Sequence, residues 1–357
     1  MTGASGERRR AVTLNDVARE AQVAVSTASR ALSAPERVNV RTREHVQAVA
    51  RRLGYRPNRL ARALPTGRTG MLAVLVPDIT NPHHFGLLRG AEAQARAAGS
   101  TLVIADTQES AELEAAHLDR LGSALDGVVL GSSRLDEEAL RELARRLPVV
   151  LYNRRVDGLP SVVTDSADGS RQIVEHLVAL GHRSIGYLAG PAASWSDAER
   201  WRALAAAAAA AGVEIVRCGP FPPTLGSGPA AADIGLATGA TALVAFNDLL
   251  AIGVLRRLAE RGIAVPGRIS VVGYDDIFGA DFCSPPLTTV AAPVTEAGRM
   301  VVDVLLAGRE PAPALTLPTS LLVRASTGPP PRDPGGAVGG TTTPIGQTLD
   351  EPGEGKV

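Results

Sequence analysis

The most constraining feature of the sequence is a set of three helical patterns within residues 13–54, joined by very short turns. In the first and third patterns, apolar residues recur at i, i+3, i+4 and i+7, the spacing of one helix face. These residues are Leu14, Val17, Ala18 and Ala21, then Val46, Val49, Ala50 and Leu53. The turn at 22–24 has the length found in helix-turn-helix units. We therefore predict a small three-helix head whose second helix, residues 25–32, faces outward.

The ends of these helices carry capping signals of unequal strength. Thr13 with Asp16 three residues later has the spacing of a capping box, Asn39 can cap the third helix, and Gly54 is placed to end it. Ala24 precedes the second helix and has no hydroxyl to cap it, a loss of about 1 kcal/mol. We therefore expect the second helix to start more loosely or to be capped otherwise.

Charge is gathered in the same part of the chain. Residues 1–70 contain 14 arginines and 5 acidic residues, a net charge of +9, whereas the whole chain is neutral. Positive charge concentrated on a small helical unit is the electrostatic signature of a phosphate-binding surface. A merely solvated helical bundle is the alternative.

Length and composition limit the remaining possibilities. The 357 residues, 45% of them hydrophobic, suffice for the head plus one or two larger globular units. Cys218 and Cys283 are the only cysteines, which indicates neither a zinc site nor a disulfide framework. We see no secretory signal and no apolar run of membrane-spanning length, so we expect a cytoplasmic protein without membrane contact.

From residue 71 onward, short apolar runs alternate with helical stretches. The predicted strands are 72–76, 101–105, 127–130, 149–152, 162–164, 185–189, 213–216, 243–245, 269–273 and 288–291. The predicted helices are 85–98, 111–121, 137–146, 172–179, 200–211, 249–260 and 295–306. Continuous apolar strands between helices indicate parallel sheets covered on both faces, and their number suits two such units. The fold class is thus a small all-α helix-turn-helix head plus an α/β body of two doubly wound parallel-sheet lobes.

Polar residues follow several predicted strands directly. They are Asp78, Asp106, Asn153, Asp165, Asn247, Asp248, Asp275 and Asp276. Ligands of doubly wound folds bind at the carboxyl ends of the strands, so these residues are candidates for a binding site.

The head also contains a spaced set of motif residues. They are Val17, Ala18, Val23, Ser29, Arg30, Leu53, Gly54, Tyr55, the tripeptide 56–58, Ala61, Arg62 and Leu64. This set resembles the DNA-binding head of LacI/GalR-type bacterial transcription regulators, and the resemblance continues to about residue 327. It implies that Val25, Ser26 and Arg30 enter the major groove, where arginine can bind guanine. Thr27, Ser29 and Arg41 are better placed for phosphate contacts.

The resemblance also implies a short hinge helix after the head. Asn58, Ala61 and Leu64 are its candidate DNA-binding residues, with Leu64 inserted into the minor groove as an apolar wedge. A plain linker is the alternative. The expected segments are the head at 11–56, the hinge helix and linker at 57–69, an effector-binding and dimerisation domain at 70–327, and a disordered tail at 328–357. Lobe 1 is expected at about 70–163 plus 292–318, and lobe 2 at about 164–291 plus 319–327.

In the body, the resemblance implies two lobes like those of periplasmic sugar-binding proteins. The candidate effector-binding residues are Asp78, His83, His84, Asn153, Ser194, Trp195, Ser196, Arg200, Phe246, Asn247 and Asp275. Arginine, aspartate and asparagine can bind vicinal hydroxyls, which favours a sugar-like ligand.

Several of these residues have other interpretations. Asp165 and Asp248 can cap helices, which we favour for Asp248, and Arg200 can be an exposed charge at a helix start. Trp195 can stack on ligand or pack on a lobe surface. Two adjacent histidines can bind metal, but sequence neighbours converge poorly on one ion.

The sequence favours a homodimeric transcription regulator, most simply a repressor, that binds a near-palindromic double-stranded operator and a small-molecule effector. A solute-binding protein of the same lobe fold is the alternative, against which the basic head argues. A doubly wound enzyme is a further alternative, but GxGxxG after a strand, GxxxxGK[ST], GxSxG and metal-ligand spacings are absent from the sequence. We therefore expect no enzyme, no cofactor and no metal.

Overall fold

The computed structural model describes residues 12–55, 68–308 and 314–331. The head contains the three helices predicted for it: α1 (Leu14–Glu20), α2 (Val25–Ser33) and α3 (Val40–Leu53). The predicted apolar faces meet in one small core built around the buried side chains of Val17, Ala28 and Val46.

The helix ends of the head follow the capping signals in the sequence. Thr13 and Asp16 form the predicted capping box, and the Asn39 side chain accepts a hydrogen bond from the Arg41 amide at 3.0 Å. Gly54 ends α3 in the left-handed conformation with φ 68°. Ala24 is the N-cap of α2 and makes no side-chain cap bond, so this helix starts without the support that the other two have.

The chain divides into two compact units. Unit 1 comprises the chain up to Thr80, His84–Val163 and Val294–Leu315, and unit 2 comprises Asn81–His83, Thr164–Pro293 and the chain from Thr316. The last crossing thus lies near residue 315, slightly before the expected boundary at 318. The grouping of residues 81–83 with unit 2 was not expected from the sequence.

Unit 1 contains a six-stranded sheet with the order β11-β5-β4-β3-β1-β2. Its strands are β1 (Met71–Val76), β2 (Thr101–Asp106), β3 (Gly127–Gly131), β4 (Val149–Tyr152), β5 (Ser161–Thr164) and β11 (Ala314–Leu317). Its helices are α4 (His83–Ala97), α5 (Ala111–Leu121), α6 (Glu137–Arg146) and α11 (Val294–Ala307). The pairs from β2 through β5 are parallel, as predicted.

Unit 2 has a sheet of the same kind with the order β12-β10-β9-β8-β6-β7. Its strands are β6 (Ser184–Leu188), β7 (Glu214–Cys218), β8 (Ala242–Ala245), β9 (Ser270–Tyr274), β10 (Thr288–Ala291) and β12 (Ser320–Leu322). Its helices are α7 (Ser166–Ala179), α8 (Trp195–Ala211), α9 (Gly228–Ala237) and α10 (Asp248–Glu260). All pairs are parallel except β10 with β12.

The central strands are buried on both faces, but the edge strands are not. Strands β1, β3, β4 and β8 consist almost wholly of buried residues. Strands β2 and β7 lie at the sheet edges, where half or more of their residues are partly or fully exposed. The prediction of sheets covered on both faces therefore holds for the sheet centres.

Three elements were missed in the sequence, and α9 shows why. Its sequence begins Gly-Pro-Ala and has no amphipathic period. A Cβ atom built on Gly228 would lie 2.1 Å from the backbone of Gly253, so α9 packs backbone to backbone on α10. A helix held by close approach of small residues shows no apolar stripe. Strands β11 and β12 are only four and three residues long, and most of their residues are partly or fully exposed, so neither gave a continuous buried apolar run.

Residue Gly328, predicted as the start of a disordered tail, belongs to unit 2. Its buried carbonyl lies 2.9 Å from His182 Nε2 and accepts a hydrogen bond from Ser270 Oγ at 3.0 Å. The two preceding residues also belong to this unit, because the Ser326 hydroxyl donates a hydrogen bond to the Val271 carbonyl and the Thr327 hydroxyl forms one with His176. The described chain thus continues past the predicted boundary, to residue 331. None of the described helices is long and apolar enough to cross a membrane.

Candidate functional site

Arg200 is the centre of the polar residues at the carboxyl edge of the unit 2 sheet. It lies in the second turn of α8 and is only 4% exposed, so it is not the solvated helix-start charge considered above. Its Nη1 donates to the Phe246 carbonyl and its Nη2 to Asp275 Oδ1 at 2.9 Å. The guanidinium carbon lies 3.6 Å from the centre of the Tyr274 ring and 4.9 Å from that of Phe246. Arginine fits this position because its flat cation can stack and form hydrogen bonds at once.

The charge of Arg200 is retained in spite of its burial. Burial lowers the pKa of Arg200, but the nearby Asp275, Tyr274 and Tyr187 more than offset this effect, and the net shift is upward. The side chains of Arg200 and Asp275 are 5% and 7% exposed, so the pair is nearly removed from water. Such a pair is costly to break by removing one partner, because the other charge remains buried.

Asp275 follows β9 in an unusual backbone conformation. Its φ is 111° and that of Asp276 is 49°, two consecutive non-glycine residues at positive φ. The Asp275 amide donates to the Val290 carbonyl at 2.8 Å. Strained backbone of this kind concentrates at functional sites, because surrounding contacts must hold it in place.

His83 lies against the same carboxylate. Its Nδ1 is 3.6 Å from Asp275 Oδ1, and both side chains are buried. Burial lowers the pKa of His83, Asp275 counteracts this, and Arg200 adds to it. His83 is therefore neutral at pH 7, a state in which its ring can donate one hydrogen bond and accept another. His84 is also buried, and in the part of the chain that the structure describes no three His, Cys, Asp or Glu side chains converge as a metal site.

The remaining candidates in unit 2 follow β6 and β8, strands of the same sheet as β9. Ser194 caps α8 by accepting from the Asp197 amide, and Trp195 and Ser196 are half-buried and buried in the first turn. Asn247 caps α10 through the Leu250 amide at 3.0 Å, and its Nδ2 donates to the Pro223 carbonyl at 3.1 Å. The side chain of Asn247 thus has structural partners at both ends.

The interpretation of Asp248 as a helix cap is wrong. The N-cap of α10 is Asn247, and Asp248 is the first helical residue. The Asp248 carboxylate is fully buried and accepts from the Ile277 amide at 2.9 Å and from Thr289 Oγ1 at 2.6 Å. Asp165, by contrast, does cap α7 by accepting from the Asp168 amide at 2.9 Å.

A second buried carboxylate, Asp197, was not singled out in the sequence. It accepts from the Tyr187 hydroxyl at 2.7 Å, from the Gly190 amide at 2.6 Å and from Arg217. Asp197 thereby fixes the loop between β6 and α8, which leads to Ser194 and Trp195. Its position three residues after the cap Ser194 was the one available signal, since acids are favoured in the first turn of a helix.

The candidates in unit 1 follow its strands as predicted, with different partners. Asp78 is partly exposed and accepts from the amide and hydroxyl of Thr80 at 2.8 and 2.6 Å. Asn153 is 5% exposed and has φ 51°, again a strained position just after a strand. The charged cluster of unit 1 was missed: Arg134 donates to Glu109, and the Arg134 amide donates to the buried Glu114 at 2.9 Å.

The head presents its candidate DNA-binding residues at the start of α2 and α3. Val25 is 45% exposed, and Ser26 and Arg30 are also exposed, whereas Ala28 on the opposite face is buried. Arg30 Nε donates to the Ser26 carbonyl at 3.2 Å, and its two terminal nitrogens have no partner within residues 12–55. Arg41 is exposed in the first turn of α3.

Thr27 and Ser29 are partly exposed on α2. The predicted hinge residues Asn58, Ala61 and Leu64 lie outside the described residues.

These features together define a class of protein. A helix-turn-helix head with an outward second helix is joined in one chain to two parallel-sheet units with a polar edge. Two family models match the chain accordingly. Residues 13–58 match the model described as bacterial regulatory proteins of the lacI family, and residues 174–327 match the periplasmic-binding-protein-like domain.

Similar proteins agree with this class. The transcriptional repressor CytR of Escherichia coli K12 is 33% identical over 304 residues, which cover 83% of this chain and 89% of CytR. The transcriptional regulator CelR of Thermobifida fusca is 34% identical over 340 residues, 90% of this chain and 99% of CelR. The chain belongs to the LacI family, and it is a DNA-binding transcription regulator.

Solved structures show the same fold. The Lac repressor dimer bound to operator and the anti-inducer ONPF has a TM-score of 0.81 and 29% identity, covering 89% of this chain and all of that one. A complex of the regulator CelR with cellobiose has a TM-score of 0.66 and 31% identity, covering 88% and 99%. The predicted family and fold class are confirmed by these comparisons.

Proposed function

We propose that this chain is a homodimeric repressor whose operator affinity is controlled by a sugar-like effector bound at the carboxyl edge of the unit 2 sheet. One observation carries the proposal: the same chain has an exposed recognition helix in a basic head and a buried Arg200–Asp275 pair beside aromatic rings. The first feature suits DNA and the second suits a small polar molecule.

On the DNA side, Arg30 is the proposed base reader. Its terminal nitrogens project from an exposed helix face one turn after Ser26, and a guanidinium can form two hydrogen bonds to guanine. Val25 is placed to contact a thymine methyl group. Arg41, together with Thr27 and Ser29, would bind phosphate and set the position of α2 in the groove.

On the effector side, Arg200 offers a donor that no described residue of the protein accepts from. Its Nε is buried and has no acceptor among the described residues. A hydroxyl oxygen of a sugar can accept from this nitrogen. The Asp275 carboxylate can accept the hydrogen bond that a sugar hydroxyl donates, and the neutral His83 can accept one or donate one. The rings of Phe246 and Trp195 supply apolar surface for the face of a sugar. That the related CelR was solved with cellobiose supports the sugar class.

A second copy of the chain completes the proposed assembly. Phe278 and Phe282 of unit 2 are 75% and 69% exposed and meet edge to face with 5.1 Å between ring centres. Two exposed aromatic rings in contact form an apolar surface patch, a feature that can mark an interaction site. The related Lac repressor was solved as a dimer, and we assign this patch to the dimer contact. The double variant F278S/F282S should sediment as a monomer at concentrations where the wild type is dimeric.

The domain limits follow from the same proposal. The head would span 11–56, the hinge helix and linker 57–69, and the effector-binding and dimerisation domain 70–327, with Gly328 added to it because of its hydrogen bond to Ser270. The hinge would order on DNA and transmit the effector state to the head. A repressor that acts on such operators would work in the cytoplasm.

The DNA-binding part is tested by selecting duplexes from a random pool and measuring affinity against salt. We expect a near-palindromic site, because a two-fold dimer presents two identical heads. Arg41→Ala should weaken binding to all sequences alike and lower the salt slope by about one for each phosphate that the variant no longer neutralises. Binding of every duplex with equal affinity would contradict the proposal.

The effector part is tested by a thermal-shift screen over sugars and nucleosides. A compound that raises the melting temperature is then added to the operator titration. Release of the operator would identify the compound as an inducer. Tighter operator binding would identify it as a co-repressor. A compound that binds without any change in operator affinity, in a protein that ignores DNA sequence, would favour a solute-binding protein.

A further inference from the structure

The turn that carries Asp275 cannot hold its shape by local preference. Asp275 and Asp276 both have positive φ, a conformation that residues other than glycine rarely adopt. Such a conformation persists only where surrounding contacts hold it. Yet the position of Asp275 matters, because its carboxylate pairs with Arg200 at 2.9 Å and lies 3.6 Å from His83.

Asp248 supplies the main support of this turn. One carboxylate oxygen accepts from the Ile277 amide at 2.9 Å, directly after the strained pair, and the other accepts from Thr289 Oγ1 at 2.6 Å. The space for this carboxylate exists because residue 273 is a glycine. A Cβ atom there would lie 2.0 Å from Asp248 Oδ1.

Thr289 connects this support to the turn itself. Its hydroxyl donates to Asp248 and accepts from the Asp276 amide at 3.3 Å. Arg324 then holds the Asp276 carboxylate at 2.7 Å. The amides of residues 275, 276 and 277 are therefore bonded in succession to Val290, Thr289 and Asp248.

The charges distinguish Asp248 from the two aspartates of the turn. Asp275 is paired with Arg200 and Asp276 with Arg324, whereas Asp248 has no cationic partner among the described residues and is fully buried. Burial, followed by the nearby Asp275, raises the pKa of Asp248 well above its ordinary value. Burial of an acid without a cationic partner costs free energy unless the acid is hydrogen-bonded. Asp248 accepts two hydrogen bonds, one from the Ile277 amide and one from Thr289.

We propose that Asp248 and Thr289 are positioning residues that hold Asp275 against Arg200 and thereby set effector affinity without touching the effector. The part that concerns affinity rests on the proposed function. The part that concerns the position of Asp275 does not, because it can be measured without a ligand.

The test removes one hydroxyl from the full-length protein. Thr289→Val deletes the bridge at nearly constant volume, and Thr289→Ser restores the hydroxyl. Thr241→Val is the matched control. The Thr241 hydroxyl also takes part in a partly buried hydrogen-bond network of unit 2, where it lies 2.8 Å from His182 Nδ1. This network is separate from the hydrogen bonds that hold residues 275–277.

The first readout is the titration of the His83 ring, followed by NMR in histidine-labelled protein. Asp275 raises the pKa of His83, so its release in Thr289→Val should lower that pKa further. Thr289→Ser and Thr241→Val should titrate like the wild type. The inference is overturned if Thr289→Val lowers the melting temperature as Thr241→Val does but leaves the His83 titration unchanged.

The second readout is the affinity for the sugar or nucleoside that stabilises the wild type in the thermal-shift screen. Thr289→Val should weaken it about tenfold, the effect of one missing buried hydrogen bond, and Thr289→Ser should restore it. Equal affinity in Thr289→Val and wild type would refute the role in binding. If no compound binds the wild type, the proposed effector class fails, while the His83 titration still decides the inference.

Discussion

The head and unit 2 present their candidate binding residues in opposite ways. On α2, Val25 is 45% exposed and Arg30 projects two nitrogens that have no partners within the described head. In unit 2, Arg200 is 4% exposed and is held by Phe246, Asp275 and two aromatic rings. The candidate groups of the head are thus accessible on a helix surface, whereas Arg200 and Asp275 are buried within unit 2.

Under the proposed function, this difference separates DNA binding from stability in the head and couples effector binding to stability in unit 2. A long exposed side chain can be removed from α2 without leaving a buried group unpaired. Removal of Arg200 or Asp275 leaves its partner buried and uncompensated. DNA is a polyanion and binds accessible positive charge. A small neutral ligand binds best to hydrogen-bond donors that are already positioned in a site shielded from water.

Arg200→Ala and Asp275→Ala should abolish the effector response and also lower stability. Loss of one member of a buried charged pair should cost about 2–5 kcal/mol of effector binding, measured by calorimetry. Arg171→Ala is the matched control, since Arg171 forms only exposed ion pairs on α7. Wild-type effector affinity in either Arg200→Ala or Asp275→Ala would mean that the effector site lies elsewhere.

Truncation after Pro331 and truncation after Arg324 should have different effects on stability. A chain that stops after Pro331 retains the hydrogen bonds of Ser326, Thr327 and Gly328 and should unfold like the full-length protein. A chain that stops after Arg324 loses these buried hydrogen bonds, together at least about 2 kcal/mol in urea unfolding. Loss of the dimer in analytical ultracentrifugation for the longer chain would show that the tail contributes to assembly.

Arg30→Ala should change DNA specificity with little change in stability. Removal of a base contact should cost about 1–3 kcal/mol at one position of each half-site and relax discrimination there. Arg52→Ala is a control in the same head, because Arg52 pairs with Glu20 at the far end of α3. If Arg30→Ala weakens binding equally for every single-base operator variant, Arg30 contacts the DNA backbone and is not a base reader.

Mild acid should destabilise the body through its buried and partly buried histidines. Burial lowers the pKa of His83, His176 and His182 in the folded state below the ordinary value of 6.5. The unfolded chain then binds more protons than the folded one as pH falls below about 6.5, so stability is full above this pH and declines beneath it. Urea titrations from about pH 7.5 to 5 should show this decline, and His182→Gln should reduce it relative to the exposed control His45→Gln.

Local signals account for what could be predicted from the sequence. The caps at Thr13, Asn39 and Gly54 depend on residues a few positions away, and all three are present. The central strands are recognisable as continuous apolar runs because they are buried on both faces. The polar residues after them were found by the same reasoning, since parallel strands bring their carboxyl ends to one edge.

Partners distant in sequence account for what was missed. The bond between Arg200 and Asp275 joins residues that are 75 positions apart, and that between Asp248 and Thr289 joins residues 41 apart. Nothing local distinguishes Asp248 from a helix cap, because acids at helix starts are usual. Helix α9 was missed because glycine packing leaves no apolar stripe.

The central claim is that an effector bound in unit 2 controls operator binding by the head. It is tested most directly by titrating the selected operator, labelled for fluorescence anisotropy, with wild type and Arg200→Ala in the presence and absence of the effector. We expect the effector to change the operator Kd of the wild type by about 5- to 150-fold, the usual range of coupling between two sites. Arg200→Ala should bind the operator like the wild type and show no such change. An effector-induced change of equal size in Arg200→Ala, or a wild type that binds the operator no better than a random duplex, would contradict the claim.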